Sequence, residues 1–224
     1  MKVTKRQQTW AKLNKDNVYS VADAIEALRE YASKKFDESL EIAIRLGVDV
    51  TKADQNIRGM VSLPNGTGKT VRVAVFTVNS ADEAKKAGAD IVGGEDLIER
   101  VVAGEINFDR VIATPDMMPK MSKIARILGP KGLMPNPKLG TVTNNVADAV
   151  TTAKAGQVEY RAEKNGIVHA GVGKMSFSTD KLVENVNALV DQLKKVKPAS
   201  VKGQYILGAA IATTQGPGLK VDIK

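Results

Sequence analysis

The sequence predicts an α/β protein with two domains, one of which interrupts the other. The middle of the chain alternates short apolar strands with helices. Each flank supplies strands and helices that cannot close a sheet alone, and glycine-rich segments separate the three parts. The simplest arrangement is a discontinuous α+β sheet domain, residues 1–66 plus 158–224, with an inserted α/β domain, residues 67–157.

The first flank is predicted to contain one helix and two strands. Ser20 is a typical N-cap residue, and the sequence after it has apolar residues at helical spacing. These apolar residues are Val21, Ala24, Ile25 and Leu28. Strict alternation from Glu38 to Leu46 predicts a half-buried strand, because successive strand side chains point to opposite faces. Residues 57–63 are a second strand candidate.

The middle block is predicted to form a parallel sheet with helices on both faces. Its strand candidates are residues 71–77, 91–92 and 110–114, and its helix candidates are residues 80–87, 95–102, 117–128 and 146–155. The third helix is predicted from Met117, Met121, Ile124 and Leu128, which recur at helical spacing. Strands that alternate with helices in this way are typical of βαβ units.

The last flank begins with a predicted hairpin, since Asn165-Gly166 is a strong turn signal between residues 158–161 and 167–171. A long helix is predicted next, ending at Pro198. Its apolar stripe consists of Leu182, Val186, Leu189, Val190 and Leu193. Residues 205–213 and a short segment at Leu219 complete the predicted strands.

The charge balance predicts a polyanionic partner. The net charge is +8 and the pI is about 9.5, so nucleic acid is the first candidate and an anionic membrane surface is the second. Aromatic residues make up only 4% of the chain. Because proteins that bind single strands usually stack bases on aromatic rings, a folded RNA or a duplex backbone is favoured. No apolar run is long enough to span a bilayer.

A basic loop is the most unusual segment. Residues 117–147 contain no acidic side chain, and residues 128–138 contain three prolines and two glycines. The cations of this stretch are Lys120, Lys123, Arg126, Lys131 and Lys138. Since so many prolines exclude regular structure, the segment is a long loop, and such loops are often functional. The alternative is a solvated linker.

The sequence offers little support for catalysis or for a cofactor. Residues 66–70, Gly-Thr-Gly-Lys-Thr, resemble part of a phosphate-binding loop, but position 63 is Leu and a strand rather than a helix follows. The chain has no Cys, and His169 is its only histidine, so a zinc site is not expected. A packed or hydrogen-bonded role for His169 is favoured over a catalytic one. We therefore expect no enzyme activity, cofactor or metal; the alternative is a nucleotide-dependent enzyme that uses the inserted domain.

Several segments together carry a resemblance to a known family. Residues 124–143, Ile-Ala-Arg-Ile-Leu-Gly-Pro-Lys-Gly-Leu-Met-Pro-Asn-Pro-Lys-Leu-Gly-Thr-Val-Thr, resemble the signature of the large-subunit ribosomal protein L-one family. Further segments resemble the family in the same order, at residues 32–39, 46–49, 54–59, 63–69, 155–157 and 213–216. The resemblance covers nearly the whole chain and favours the bacterial type.

The resemblance implies an interrupted first domain with a Rossmann-like three-layer insert. It also implies a structural protein of the large ribosomal subunit, cytoplasmic and ribosome-associated. Such a protein binds the stalk region of 23S rRNA, assists exit-site tRNA movement and release, and represses translation of its own operon mRNA. We expect no membrane partner and a monomer when the protein is free.

The resemblance also implies the site residues. The resemblance places the principal rRNA contacts at Lys35, Phe36, Ser39, Thr213, Thr214, Gln215 and Gly216. Arg161, Lys164 and Lys174 are additional candidates because they are cations near the same predicted sheet. The tRNA-facing candidates are Lys120, Lys123, Arg126, Lys131 and Lys138, and the hinge candidates are Gly66, Gly68 and Gly156. Gln215 departs from the family pattern, which usually has Met there. There are structural alternatives for some of these residues. Phe36 would then be a core residue, and Pro135 and Pro137 would only shape the loop.

Overall fold

A computed structural model describes residues 8–10, 13, 17–33 and 35–223. The chain divides into two compact units: Met1–Gly68 with Val158–Lys224, and Lys69–Gln157. We call the first the split unit and the second the inserted unit. The protein is a mixed α/β protein with several sheets.

The strands are β1 Val18–Tyr19, β2 Ser39–Leu46, β3 Arg58–Ser62, β4 Val73–Phe76, β5 Ile91–Gly93, β6 Arg110–Ala113, β7 Gln157–Arg161, β8 Ile167–Lys174, β9 Ile206–Thr213 and β10 Gly218–Val221. The α-helices are α1 Val21–Glu30, α2 Ala81–Lys86, α3 Glu95–Val102, α4 Met118–Met121, α5 Ala125–Leu128, α6 Val146–Lys154 and α7 Thr179–Lys195. Short 3₁₀ turns occupy Ala53–Gln55, Pro115–Met117, Ser122–Ile124 and Pro137–Leu139. Most predicted elements are confirmed to within two residues at each end.

The split unit is built on a five-stranded sheet with the order β1-β10-β9-β2-β8. The first pair is parallel and the others are antiparallel. Helices α1 and α7 pack on one face, where their apolar stripes join the buried side chains of β2 in a single core. The alternation predicted for β2 is confirmed, because Leu40, Ile42, Ile44 and Leu46 are buried. The residues between them face away from the helices.

The predicted hairpin is wrong in its strand pairing. The turn exists: Gly166 has a φ of 70°, and its N–H donates to the carbonyl of Glu163 at 2.8 Å. However, β7 pairs with β3 in a separate two-stranded sheet, and β8 pairs with β2. Between the two predicted arms, the described residues form one isolated bridge, Ala162–Val168. β8 pairs along β2 from Ser39 to Arg45 and forms the edge of the five-stranded sheet, while β7 is held by β3, where Arg58 forms an ion pair with Glu159.

The inserted unit contains a parallel three-stranded sheet with the order β5-β4-β6. Central strand β4 is buried over its whole length. One hydrophobic cluster packs against α3 and the segment from Met117 to Leu128, and a second packs against α2 and α6. The predicted parallel sheet with helices on both faces is therefore present in this unit.

The helix predicted at residues 117–128 is not continuous. Helices α4 and α5 are separated by the 3₁₀ turn Ser122–Ile124, although the predicted apolar stripe is fully buried. A 3₁₀ turn is tighter than an α-helical one, so it interrupts the helix while keeping apolar residues three apart on one side. Leu133 and Met134, which look exposed in the sequence, are partly buried against the same cluster.

Candidate nucleic-acid interface

Two predicted RNA-contacting segments meet at the start of β2. The N–H of Ser39 donates to Thr214 Oγ1 at 3.0 Å, and the N–H of Thr214 donates to the carbonyl of Ser39 at 3.0 Å. Leu40 is paired with Thr213 across the sheet. The fold therefore joins residues that are 175 positions apart in the chain. We call Lys35, Phe36, Ser39, Lys174 and residues 214–216 the Phe36 surface; Thr213, which was also a predicted contact, is buried beneath it.

Phe36 is not a core residue, so the structural alternative for it is wrong. Its side chain is 45% exposed, and Lys35 beside it is also exposed. The loop that carries both residues is anchored from below. Buried Glu38 accepts the N–H of Ser33 at 2.8 Å, and the Ser33 hydroxyl accepts the N–H of Lys35 at 3.2 Å. An aromatic ring and an ammonium group are thus presented to solvent on an anchored loop.

Lys174, which was predicted as an additional cation near the same sheet, lies opposite Ser39 in the β2–β8 ladder. Its ammonium group donates to the Ser39 hydroxyl at 3.0 Å and to the carbonyl of Asp37 at 3.2 Å. Both acceptors are neutral oxygens, so these bonds orient the positive charge without neutralising it. A positioned cation of this kind suits a phosphate group.

The turn at residues 213–216 is tightly constrained. Gln215 has a φ of 61° and is the one non-glycine residue in the described part of the chain with a positive φ. This conformation is uncommon for a side-chain-bearing residue, and such strain often marks a functional site. The N–H of Gly216 donates to the carbonyl of Thr213 at 2.8 Å, and a Cβ atom at Gly216 would overlap the Thr213 hydroxyl. A larger residue than glycine does not fit at position 216 unless the turn changes.

Arg161 and Lys164 do not join the Phe36 surface. In the β2–β8 ladder Ser39 pairs with Lys174 at one end, while Arg45 pairs with Ile167 at the other. These ends are roughly 20 Å apart at about 3.3 Å per residue. Arg161 and Lys164 line a groove of about 800 Å³ near the Arg45 end, together with Asn56, Glu163 and His169. The structure thus divides the predicted rRNA cations between two places.

Asp37 and Ser176 are positioning residues that the sequence reasoning missed. The Asp37 carboxylate accepts the N–H of Ser176 at 3.1 Å and its hydroxyl at 2.7 Å. The N–H of Met175 also donates to the carbonyl of Glu38 at 2.9 Å. These bonds tie the Phe36 loop to the turn after β8. An exposed Asp and an exposed Ser that are 139 positions apart carry no sequence signal of their pairing.

Asn185 was also missed, and it anchors the first crossing between the units. It is completely buried in α7. Its side-chain NH₂ donates to the carbonyls of Val172 at 2.7 Å and Gly66 at 3.0 Å, and its oxygen accepts the N–H of Asn65 at 3.1 Å. A polar residue on the apolar stripe of a predicted helix was the available signal.

The predicted hinge glycines Gly66, Gly68 and Gly156 all have positive φ, at 67°, 69° and 96°.

In the inserted unit, one predicted tRNA-facing cation is already engaged. Lys120 forms an ion pair with Glu95, and its hydrogen bond and charge lower the pKa of that carboxyl group. The other four cations of the set are exposed. The basic loop has its own framework: Pro135 is buried, and Asn136 Oδ1 accepts the N–H of Lys138 at 2.9 Å. At least Pro135 therefore has the structural role that was the alternative to RNA contact.

Other kinds of site have little support. Within the residues that the structure describes, no cluster of His, Asp or Glu has the arrangement of a metal site. Among the helices of that same part of the chain, none is long and apolar enough to cross a bilayer.

The comparison with known proteins agrees with the resemblance noted above. The model of the ribosomal protein L1p/L10e family matches residues 28–217. This range includes both segments of the Phe36 surface, the basic loop and the whole inserted unit. Proteins of this family are structural proteins that bind rRNA in the large ribosomal subunit, and they are not enzymes. The alternative of a nucleotide-dependent enzyme gains no support. Because the match covers most of the chain, the protein belongs to the ribosomal protein L1p/L10e family.

Proposed function

We propose that the split unit binds the stalk region of 23S rRNA through the Phe36 surface. The family already makes the protein an rRNA-binding component of the large subunit; the proposal concerns which rRNA element it binds and with which residues. The pair of hydrogen bonds between Ser39 and Thr214 carries this proposal. It assembles residues from distant parts of the chain into one patch in which the Phe36 ring and Lys35 are exposed, and Lys174 and the hydroxyl groups of Ser39 and Thr214 are partly buried.

Each group of the patch has a chemical role in this proposal. The Phe36 ring offers an apolar face to a ribose or an unstacked base, and Lys35 and Lys174 attract phosphates. The hydroxyls of Ser39 and Thr214 hydrogen-bond to ribose 2′-hydroxyl groups, which distinguish RNA from DNA. Gly216 lets the RNA backbone approach the protein closely.

For the inserted unit, we propose the Rossmann-like three-layer fold and the contact with exit-site tRNA that the resemblance implies. The exposed cations Lys123, Arg126, Lys131 and Lys138 support it, since they lie on a segment without acidic residues. The domains would be residues 1–66 plus 158–224 and residues 67–157, in line with the two compact units. Glycines 66, 68 and 156 would form the hinge. Because Asn185 holds Gly66, bending would be concentrated at Gly68 and Gly156.

The same RNA-binding surface would serve translational control. A segment of the operon mRNA that imitates the rRNA stalk would compete for the Phe36 surface, so repression needs no second site. From the family resemblance we also infer that the protein is of the bacterial type and that it is cytoplasmic and associated with the ribosome. We further propose that the free protein is a monomer.

The proposal is tested by fluorescence anisotropy with a labelled, folded fragment of the 23S rRNA stalk. We expect saturable binding at physiological salt, whereas a nucleotide panel and anionic liposomes bind weakly or not at all. Phe36→Ala should weaken RNA binding by about 1–3 kcal/mol, the usual contribution of base–aromatic stacking. Val102→Ala is a matched control, because Val102 is an exposed apolar residue of the inserted unit. Unchanged affinity in a folded Phe36→Ala protein would contradict the proposed site, and nucleotide saturation without RNA binding would overturn the function.

A further inference from the structure

Among the described residues, α1 and α7 both pack on the same face of the five-stranded sheet, and no described helix covers the other face. On β2 this face carries Ser39, Glu41, Ala43 and Arg45, which alternate with the buried core residues. The neighbouring strands place small residues beside them. Ala43 pairs with Ala210 of β9 and with His169 of β8, and Glu41 pairs with Ala212 and Gly171. We call this surface, from Ser39 to Arg45 with its paired neighbours, the open face.

The chemistry of the open face fits the backbone of helical RNA better than a bare strand or a protein. None of the named open-face residues is a Phe, Tyr or Trp, so successive bases have no such ring on which to stack. Between the exposed side chains of Glu41 and His169, the small residues Ala43, Ala210, Ala212 and Gly171 form a low floor that a ribose–phosphate backbone can approach closely. A protein partner would need a larger apolar patch, since the central part of a stable protein interface is mostly apolar.

Cations lie at both ends of this floor. At the Ser39 end are Lys35 and Lys174 of the Phe36 surface. At the other end are Arg45 and, in the adjoining groove, Arg161 and Lys164. The two ends are roughly 20 Å apart at about 3.3 Å per strand residue. A rigid polyanion of that length would meet positive charge at both ends of the open face.

Of the two acidic residues in the groove, Glu159 has a cationic partner. Glu159 accepts a hydrogen bond from Arg58 Nε at 2.9 Å and forms an ion pair with the same guanidinium at 2.8 Å. Glu163 lies 3.9 Å from His169 Nε2. Within the described residues, neither Arg161 nor Lys164 has a carboxylate within ion-pair distance. The two cations are therefore available to an external anion.

From this arrangement we propose that a single RNA helix lies along β2 across the open face. Its backbone is held at the Phe36 surface and again, near the Arg45 end of β2, by Arg161 and Lys164 in the adjoining groove. The inference rests on the proposed rRNA function and extends it. It explains why the predicted rRNA cations occupy two places, because each place contacts a different part of one helix. Two contacts on one rigid ligand also strengthen binding, since the second forms at a high effective concentration.

The test uses the same labelled stalk fragment with variants at one position of the open face, Ala43, and at two positions of the adjoining groove, Arg161 and Lys164. Arg161→Gln combined with Lys164→Gln should lower the slope of log K against log salt by about two units, one for each phosphate that the variant no longer neutralises. Ala43→Gln, which adds bulk to the floor without charge, should weaken binding by about tenfold or more, equal to about 1.4 kcal/mol. Circular dichroism and the thermal midpoint establish that each variant is folded.

Two controls match these changes away from the open face. Lys195→Gln removes an exposed cation from α7, the helix on the opposite face of the sheet, and Ala199→Gln adds the same bulk to an exposed loop. Both should bind like the wild type. If Phe36→Ala weakens binding while Ala43→Gln and the combined Arg161→Gln and Lys164→Gln substitutions do not, this inference is overturned and the proposed function stands. If the stalk fragment does not bind the wild type, both are refuted.

Discussion

Replacing Asn185 by leucine tests whether this buried amide holds the first crossing in place. Leucine has a similar size but no hydrogen-bonding group. The substitution leaves three backbone groups without their partner: the N–H of Asn65 and the carbonyls of Gly66 and Val172. The bond to Val172 is buried, while the other two are partly buried.

The expected loss of stability follows from these three bonds. A buried group left without a partner costs about 1–3 kcal/mol, and a typical hydrogen bond contributes about 1 kcal/mol. One buried and two partly buried bonds together account for about 3–5 kcal/mol, less a small gain from burying leucine. For a protein of this size, each kcal/mol shifts the thermal midpoint by about 2–4 °C. The midpoint of the split unit should therefore fall by roughly 6–20 °C.

The assay combines thermal unfolding with amide hydrogen exchange. Asn187→Leu is a close control, because Asn187 lies two residues along the same helix but is exposed. We expect it to change stability by at most about 0.5 kcal/mol. The amide of Asn65 should exchange faster only in Asn185→Leu. An Asn185→Leu protein as stable as the control, with unchanged exchange at Asn65, would refute the anchoring role.

Three further outcomes are expected. Lys174→Met should lower the salt slope of stalk-RNA binding by about one unit; an unchanged slope would show that the ammonium group does not contact phosphate. Gly216→Ala should reduce both thermal stability and RNA affinity, because its methyl group would overlap Thr213, whereas Gly218→Ala, with open space around position 218, should match the wild type in both assays. Asp90 should titrate below 3.8 in an NMR pH series, because the Val73 N–H and Lys154 lower its pKa. Since the folded pKa is lowered, the stability from this carboxylate should be present at neutral pH and lost as the pH falls through the folded pKa; a midpoint at or above 3.8 would contradict the contact.

Periodic patterns in the sequence predicted the elements well. The alternation in β2 and the apolar stripes of α1 and α7 come from burial on one face, a constraint that each segment shows in its own residues. The family resemblance likewise supplied the residues of the Phe36 surface, and the structure brings most of them together. Ser39 and Thr214 are in direct contact, and Phe36 is exposed.

What the sequence did not reveal depends on partners far away in the chain. The hairpin signal at Asn165-Gly166 was correct for the turn, but the pairing of β7 and β8 was decided by β3 and β2. For that reason Arg161 and Lys164 lie far from Lys174. The ion pair of Lys120 with Glu95 was equally invisible, since nothing in the basic stretch indicates which cation meets a carboxylate of another helix.

The hydrogen bonds beneath Phe36 give a physical reason why an apolar ring is exposed there. Within the loop, Glu38 accepts the N–H of Ser33. From outside the loop, Lys174 at the end of β8 donates to the carbonyl of Asp37, and Ser176 in the following turn donates to the Asp37 carboxylate. A loop that is ordered before binding loses little conformational entropy when RNA arrives, so more of the stacking energy appears as affinity. The side chain of Lys174 also lies close to the first crossing, because a Cβ atom at Gly68 would be 2.8 Å from Lys174 Cγ. Glycine at position 68 thus has two roles. It leaves room for the Lys174 side chain next to the Phe36 surface, and it permits the positive φ of the chain at this crossing.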